Sequence, residues 1–167
     1  MHFIGIDPSF TGLAIVSIDE NADILDQNLL STDSKTEVED RLLYLVETTM
    51  DHIQDQNLVY LPNMIYMEGI AFSRKSQYAH QLGALHFMLR VYMKVANLPY
   101  QIKTPQQLKK FVTGKGNCKK DLMLLKTFKR WGLEFEDDNL CDAYGLARMA
   151  LYNYKSSDTK IGTRIKQ

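Results

Sequence analysis

Apolar residues in the first thirty positions come in short unbroken runs, not at helical intervals. Phe3-Ile4-Gly5-Ile6 runs into Asp7 and is stopped by Pro8-Ser9, and Leu13-Ala14-Ile15-Val16-Ser17-Ile18 resumes after Gly12. Runs of this length bounded by turn residues read as two strands joined by a tight turn. A third strand over Ile24 to Leu30 would complete an antiparallel meander, although the polar stretch Asp26 to Asn28 could equally form a loop. From Thr36 the period changes. Val38, Leu42, Leu45, Val46 and Ile53 recur at helical spacing, which predicts an amphipathic helix with one side on the sheet and an acidic side in solvent.

After Pro62 the run Met64-Ile65-Tyr66-Met67 predicts a buried strand ending in Glu68. A long helix follows, with Leu82, Leu85, Leu89, Tyr92, Met93 and Ala96 as its apolar stripe. Pro99 to Ile102 reads as a short strand leading into Thr104-Pro105, an N-cap followed by proline at the first helical position. That helix should end near Gly114, with two more over Lys119 to Arg130 and Asn139 to Tyr152. Strands first and alternation afterwards give an α/β fold, a mixed sheet with helices on both faces. One domain is expected over residues 1–155, followed by a mobile polar tail over 156–167.

Net charge is zero, but the charges are segregated. Residues 1–67 carry two basic side chains against twelve acidic ones; residues 68–133 carry thirteen basic against two acidic. A basic middle third suits either a solvated helix face or a phosphate-binding surface, and the scale of the imbalance favours the second. Arg74, Lys75, Lys110, Lys115 and Lys119 are its candidate phosphate contacts. No apolar run approaches the roughly 20 residues that cross a bilayer, and no leader-like segment opens the chain, so no membrane association and a cytoplasmic location are expected. Cys118 and Cys141 have neither disulfide density nor zinc-site spacing. The four histidines share no metal-cluster spacing and read as structural or surface residues.

Three acids stand among apolar neighbours: Asp7 and Glu68 at strand ends, and Asp142 beside Cys141 and Ala143 in a helix. Each alone has an ordinary reading as a cap. Together they matter more, because a carboxylate held among apolar groups is costly unless it is paired or binds a metal. Phosphodiester hydrolysis at neutral pH needs an activated water and a stabilised leaving oxygen, which two divalent ions supply. Several carboxylates suit Mg2+ or Mn2+ better than zinc.

Four segments now make a resemblance specific. Ile4-Gly5-Ile6-Asp7-Pro8-Ser9 with Thr11-Gly12 resembles the first-strand signature of the RuvC Holliday-junction resolvases, members of the RNase H-like superfamily. Ile65-Tyr66-Met67-Glu68 resembles the family's second acidic strand. Pro105 to Lys110, then Gly114-Lys115-Gly116 and Lys119-Lys120, resembles the segment carrying two catalytic lysines, which fall on Lys109 and Lys120. Asn139-Leu140-Cys141-Asp142-Ala143 resembles the C-terminal helix that completes the site. The first segment alone also resembles the phosphate loop of actin-like ATPases, but the chain is too short for the second domain that such an enzyme needs.

The resemblance implies a five-stranded mixed sheet and a homodimeric, Mg2+-dependent endonuclease with two ions per site, nicking four-way DNA junctions in pairs. Asp7, Glu68 and Asp142 would hold metal, with Lys109 and Lys120 at the scissile phosphate. The family's fourth ligand falls three residues before Asp142, on Asn139; charge would favour Asp138, which has a sufficient task at the helix start. The family's base-stacking aromatic falls on Phe72, which an ordinary packing role would also explain. The stripe from Leu82 to Ala96 is either core or dimer interface. Compactness suggests a bacteriophage copy acting in the host cytoplasm. The competing expectations are another RNase H-like nuclease, on RNA or other branched DNA, and a junction-binding module with weak cleavage.

Overall fold

A computed structural model describes residues 1–54, 61–70 and 79–164. The sheet is built from β1 (His2–Asp7), β2 (Leu13–Asp19), β3 (Ile24–Leu30), β4 (Met64–Glu68) and β5 (Tyr100–Lys103). The helices are α1 (Val38–Ile53), α2 (Ala79–Val95), α3 (Pro105–Thr113), α4 (Lys120–Trp131) and α5 (Asp138–Arg164). Strand order is β3-β2-β1-β4-β5, the first three antiparallel, with β4 parallel to both β1 and β5. The expected mixed five-stranded sheet is therefore present. Its third strand is the polar one, and the reason is position: β3 is an edge strand, exposed over most of its length.

Strand side chains alternate between two cores. Ile4 and Ile6 of β1, Leu13 and Ile15 of β2, and Ile65 and Met67 of β4 face one side, where Leu45, Val46 and Ile53 of α1 and Leu85, Leu89 and Met93 of α2 cover them. Phe3, Ala14, Val16, Ile18 and Tyr66 face the other, against α3, α4 and α5. Asp7 and Glu68 keep step with Phe3 and Tyr66, so both point toward α5. Gly5 shares that face, where a Cβ atom would lie 1.9 Å from the Ala143 carbonyl oxygen and 2.6 Å from the Ala147 nitrogen. Only a residue without a side chain lets α5 rest directly on β1.

Chain chemistry sets the helix ends. Thr104 caps α3 in a reciprocal box with Gln107, and Gly114 and Gly132 close α3 and α4 in the left-handed conformation. Lys119 is the N-cap of α4 rather than its first residue. At the other end the structure corrects an expectation: α5 does not give way to a tail after Lys155 but runs on to Arg164. No proline or glycine interrupts residues 153–160. Tyr154 packs edge-on against Phe3, with ring centroids 5.3 Å apart, and Asn153 donates to the Tyr66 hydroxyl at 2.9 Å, so the sheet supports the helix as far as Tyr154. No helix among the described residues is long and apolar enough to cross a membrane.

Candidate active site

Parallel pairing of β1 with β4 matches Ile6 to Met67, which sets Asp7 and Glu68 side by side at the carboxyl end of the sheet. Asp142 reaches the same place from α5, which Gly5 admits against β1. The three acids act on one another. Burial drives the Asp7 carboxyl well above its usual range, and the charges of Glu68 and Asp142 add to the effect. Burial also raises Glu68, against the lowering influence of its hydrogen bond with Asp7 and of Lys109 and Lys120. Asp142 is pushed up to about 7, by burial first and then by Glu68 and Asp138, with the same two lysines opposing. One buried carboxylate, Asp7, and two half-buried ones, Glu68 and Asp142, therefore share a region whose negative charge the chain only partly offsets.

Lys109 and Lys120 both lie near enough to act on Glu68 and Asp142. The two lysines picked out in the sequence thus meet the three acids, one from α3 and one from the start of α4. Lys120 is ion-paired with Asp138, and this contact is the first cause of its raised pKa; burial opposes it next, and the charges of Asp138, Asp142 and Asp7 add to the rise. Here the expectation for Asp138 needs correcting. Capping at the head of α5 falls to Asp137, whose Oδ1 accepts from the Asn139 and Leu140 amides at 2.8 and 3.2 Å, leaving Asp138 to hold Lys120. Asn139 points elsewhere again: its Nδ2 donates to the Gly12 carbonyl at 2.9 Å and ties α5 to the β1–β2 turn.

Sequence reasoning missed one close neighbour. His86 of α2 is buried, and its Nε2 lies 3.1 Å from the Glu68 carbonyl oxygen, which can only accept, so the nitrogen donates. Burial, reinforced by Arg90, lowers the pKa of the ring against the raising effect of that bond. With Asp7, Pro8, Gly69, Ile70 and Leu82 it lines a cavity of about 200 Å³ beside Glu68. No spacing in the sequence marks His86, because the contact joins a helix face to a strand end across the fold. Lys110, Lys115 and Lys119 are exposed, the first on α3 and the other two in the segment between α3 and α4. Phe72, Arg74 and Lys75 lie outside the described residues.

Among the described residues no three His, Cys, Asp or Glu side chains form a ready-made metal cage. The donor chemistry nonetheless fits a divalent cation. The acids present oxygen donors and uncompensated charge, and Mg2+ keeps several waters while taking only one or two carboxylates. Cys141, beside Asp142, is a packing residue: it donates to the Thr127 hydroxyl at 3.3 Å, and burial pushes its thiol up to about 11.

A mixed five-stranded sheet carrying acids at the ends of β1 and β4 and on the helix packed across them defines the RNase H-like class of α/β proteins. Comparison with known proteins narrows this further. The family model described as crossover junction endodeoxyribonuclease RuvC matches residues 3–147. The chain is 27% identical over 150 residues to the protein of that name from Brachyspira hyodysenteriae, covering 88% of this chain and 91% of the relative. The solved structure of Thermus thermophilus RuvC superposes with a TM-score of 0.73 at 21% identity, covering 88% of this chain and 91% of that one. The same protein in complex with a Holliday junction substrate superposes at 0.72 and 19% identity, covering 88% and 90%. This chain belongs to the RuvC family.

Proposed function

We infer that this chain is an endonuclease that resolves four-way DNA junctions by paired nicks. The observation that carries the reading is the meeting of Asp7, Glu68 and Asp142 on one face of the sheet, flanked by Lys109 and Lys120. Family membership supports it, since the relatives bear the name of a crossover junction endodeoxyribonuclease and one is known bound to a Holliday junction. The charge segregation of the sequence agrees, with the exposed Lys110, Lys115 and Lys119 offering phosphate contacts on the α3 side. Phe72, Arg74 and Lys75 remain proposed DNA contacts on sequence grounds alone.

Asp7, Glu68 and Asp142 would hold two Mg2+ ions, with Mn2+ able to serve in their place. Asn139 is the proposed fourth donor, through Oδ1. Its amide suits two tasks that a carboxylate cannot combine, since Nδ2 donates to Gly12 while the oxygen stays able to accept a cation. Bound divalent ions supply an activated water and charge neutralisation at the phosphate. The chain's own groups do the remaining work. Lys109 and Lys120 place positive charge where negative charge develops on the scissile phosphate, and Asp138 holds Lys120 in position. His86 fixes the Glu68 backbone from behind.

A homodimer is proposed because a junction presents two equivalent strands to a two-fold pair of sites. Helix α2 supplies a surface for it. Leu85, Leu89 and Met93 are buried, whereas Phe87, Val91 and Val95, spaced one turn apart, are exposed apolar residues on the outer side. The protein would act in the cytoplasm, that of the host if carried by a phage. Incubation with four-way, three-way, flap and linear DNA, with and without Mg2+, tests the reading. Metal-dependent cutting of the four-way substrate in preference to the others is expected. Equal cutting of all four would favour a general branched-DNA or RNA nuclease, and binding without cutting would favour a recognition module.

A further inference from the structure

Next to the cavity at Asp7 and Glu68, and sharing Pro8 and Leu82 with it, lies a pocket of about 350 Å³ lined also by Ser9, Phe10, Thr11, Ser34, Arg41 and Gln81. Its floor holds a charge without a counter-charge. Arg41 is 8% exposed, although it belongs to the acidic outer helix α1. Its Nε donates to the Thr32 hydroxyl at 2.9 Å, its Nη2 reaches the Phe10 carbonyl at 3.3 Å, and its guanidinium carbon stands 5.0 Å from the centre of the Phe10 ring. No carboxylate pairs with it: the ion pairs among the described residues involve Glu20, Asp26 and Asp138. Asp33 and Asp40 line a separate depression against Arg41 without coming within ion-pair distance.

A buried cation satisfied only by neutral oxygens keeps an unspent attraction for an anion. Two of its three guanidinium nitrogens are used within the fold, and Nη1 has no hydrogen-bond partner among the described residues. It is also not among the sealed-off atoms without a hydrogen bond. Around the pocket stand hydroxyl donors: Ser9 and Thr11, whose oxygens lie 3.3 Å apart, and the exposed Ser34. Ser9 follows Asp7 by two residues, at most about 7 Å along an extended chain. The pocket therefore opens within nucleotide reach of the acids.

We propose that this pocket is a second phosphate subsite, in which Arg41, helped by Ser9, Thr11 and Ser34, receives the backbone phosphate of a nucleotide neighbouring the one that is cut. The inference rests on the reading of the protein as a junction nuclease and adds a place where the cleaved strand is gripped. Such a grip fixes the register of the strand over Asp7 and Glu68 without reading bases.

Chemical interference combined with mutation tests it. Four-way junctions are made with a neutral methylphosphonate at single positions on either side of the cut, and binding is measured in Ca2+ to prevent turnover. Wild-type protein should lose about tenfold in affinity at one flanking position. In Arg41→Met that position should become indifferent, and the slope of log K against log salt should fall by about one. Because Arg41 also braces Phe10 and Thr32, Ser34→Leu is made alongside, filling the pocket from its exposed rim without touching those bonds. It should abolish the same interference at unchanged Tm.

Interference that persists at every position in Ser34→Leu and in folded Arg41→Met would overturn the proposal while leaving junction cleavage intact. Inorganic phosphate is the second arm. A rise in wild-type Tm with phosphate that Arg41→Met lacks, without coupling in the junction series, would assign the pocket to a free anion and overturn the DNA assignment. Failure of the wild type to cut any junction would instead remove the functional reading itself.

Discussion

Lys120 and Asp138 form an ion pair that joins the first turn of α4 to the first turn of α5, beside Asp7, Glu68 and Asp142. The next residue, Asn139, is committed to the Gly12 carbonyl. These two neighbours should therefore fail differently. Asp138→Ala should slow cleavage by releasing Lys120, at a stability cost of about 1 kcal/mol or less because the pair is partly exposed. Its Mg2+ requirement should stay unchanged. Asn139→Ala should raise the Mg2+ concentration for half-maximal cleavage. Asn139→Asp should lower Tm in metal-free buffer by setting a carboxylate oxygen against the Gly12 carbonyl. Metal titrations and melts on the three variants check this; a shifted metal requirement in Asp138→Ala alone would move the ligand role to Asp138.

Removing charge from the centre should separate cutting from binding. Asp7→Asn and Glu68→Gln should each reduce cleavage by about a hundredfold or more, by analogy with loss of other transition-state stabilisers. Junction affinity without metal should hold or tighten, since a negative group near phosphate is gone. Near-normal cleavage by either variant would remove it from the active site.

The raised carboxyl of Asp142 has a pH signature. A group whose folded pKa lies above its unfolded value takes up a proton on folding, so its stability penalty is absent near pH 4 and grows as pH rises to about 7. Asp7 and Glu68 shift in the same direction. Metal-free wild type should thus lose stability as the pH rises from about 4 to about 8, across the interval that the shift of Asp142 opens. Asp142→Asn should melt several degrees higher than wild type at the upper pH and about equally at the lower one. An equal offset at both would contradict the assignment.

Two sets of lysines should behave differently. Lys109→Ala and Lys120→Ala, which alter the surroundings of the acids, should depress the single-turnover rate more than affinity. Lys115→Ala and Lys119→Ala should mainly weaken binding and lower its salt slope by about one each. Similar effects across all four would make Lys109 and Lys120 ordinary phosphate contacts.

For the dimer, Val91→Glu should leave the fold intact, since the side chain is exposed, but shift sedimentation toward monomer. Unchanged sedimentation would place the interface elsewhere.

Strand and helix positions were legible because burial on both faces leaves continuous apolar runs in β1, β2 and β4, while one-sided burial leaves helical spacing in α1. The acids were legible as charges within those runs. Less visible were features made by pairs of distant residues. Nothing in the sequence around Arg41 announces a buried guanidinium, and nothing around His86 announces the Glu68 carbonyl. Asp137 and Asp138 could not be ranked from composition, because both are acids at a helix start and only the position of Lys120 separates their tasks. The continuation of α5 depended on Phe3 and Tyr66, more than eighty residues away in sequence.

The contact of Gly5 with α5 makes the acidic centre a property of the whole molecule. Asp142 has no scaffold of its own near Asp7; it arrives because a helix backbone lies where a side chain would otherwise be. A methyl group at position 5 would wedge the two apart by pushing on backbone, which has no rotamer to yield. The helix would lift, and with it one wall of the site. Heat inactivation should accordingly coincide with global melting instead of preceding it, and amides in β1 and in the α5 stretch around Ala143 to Ala147 should exchange with solvent only through the same opening.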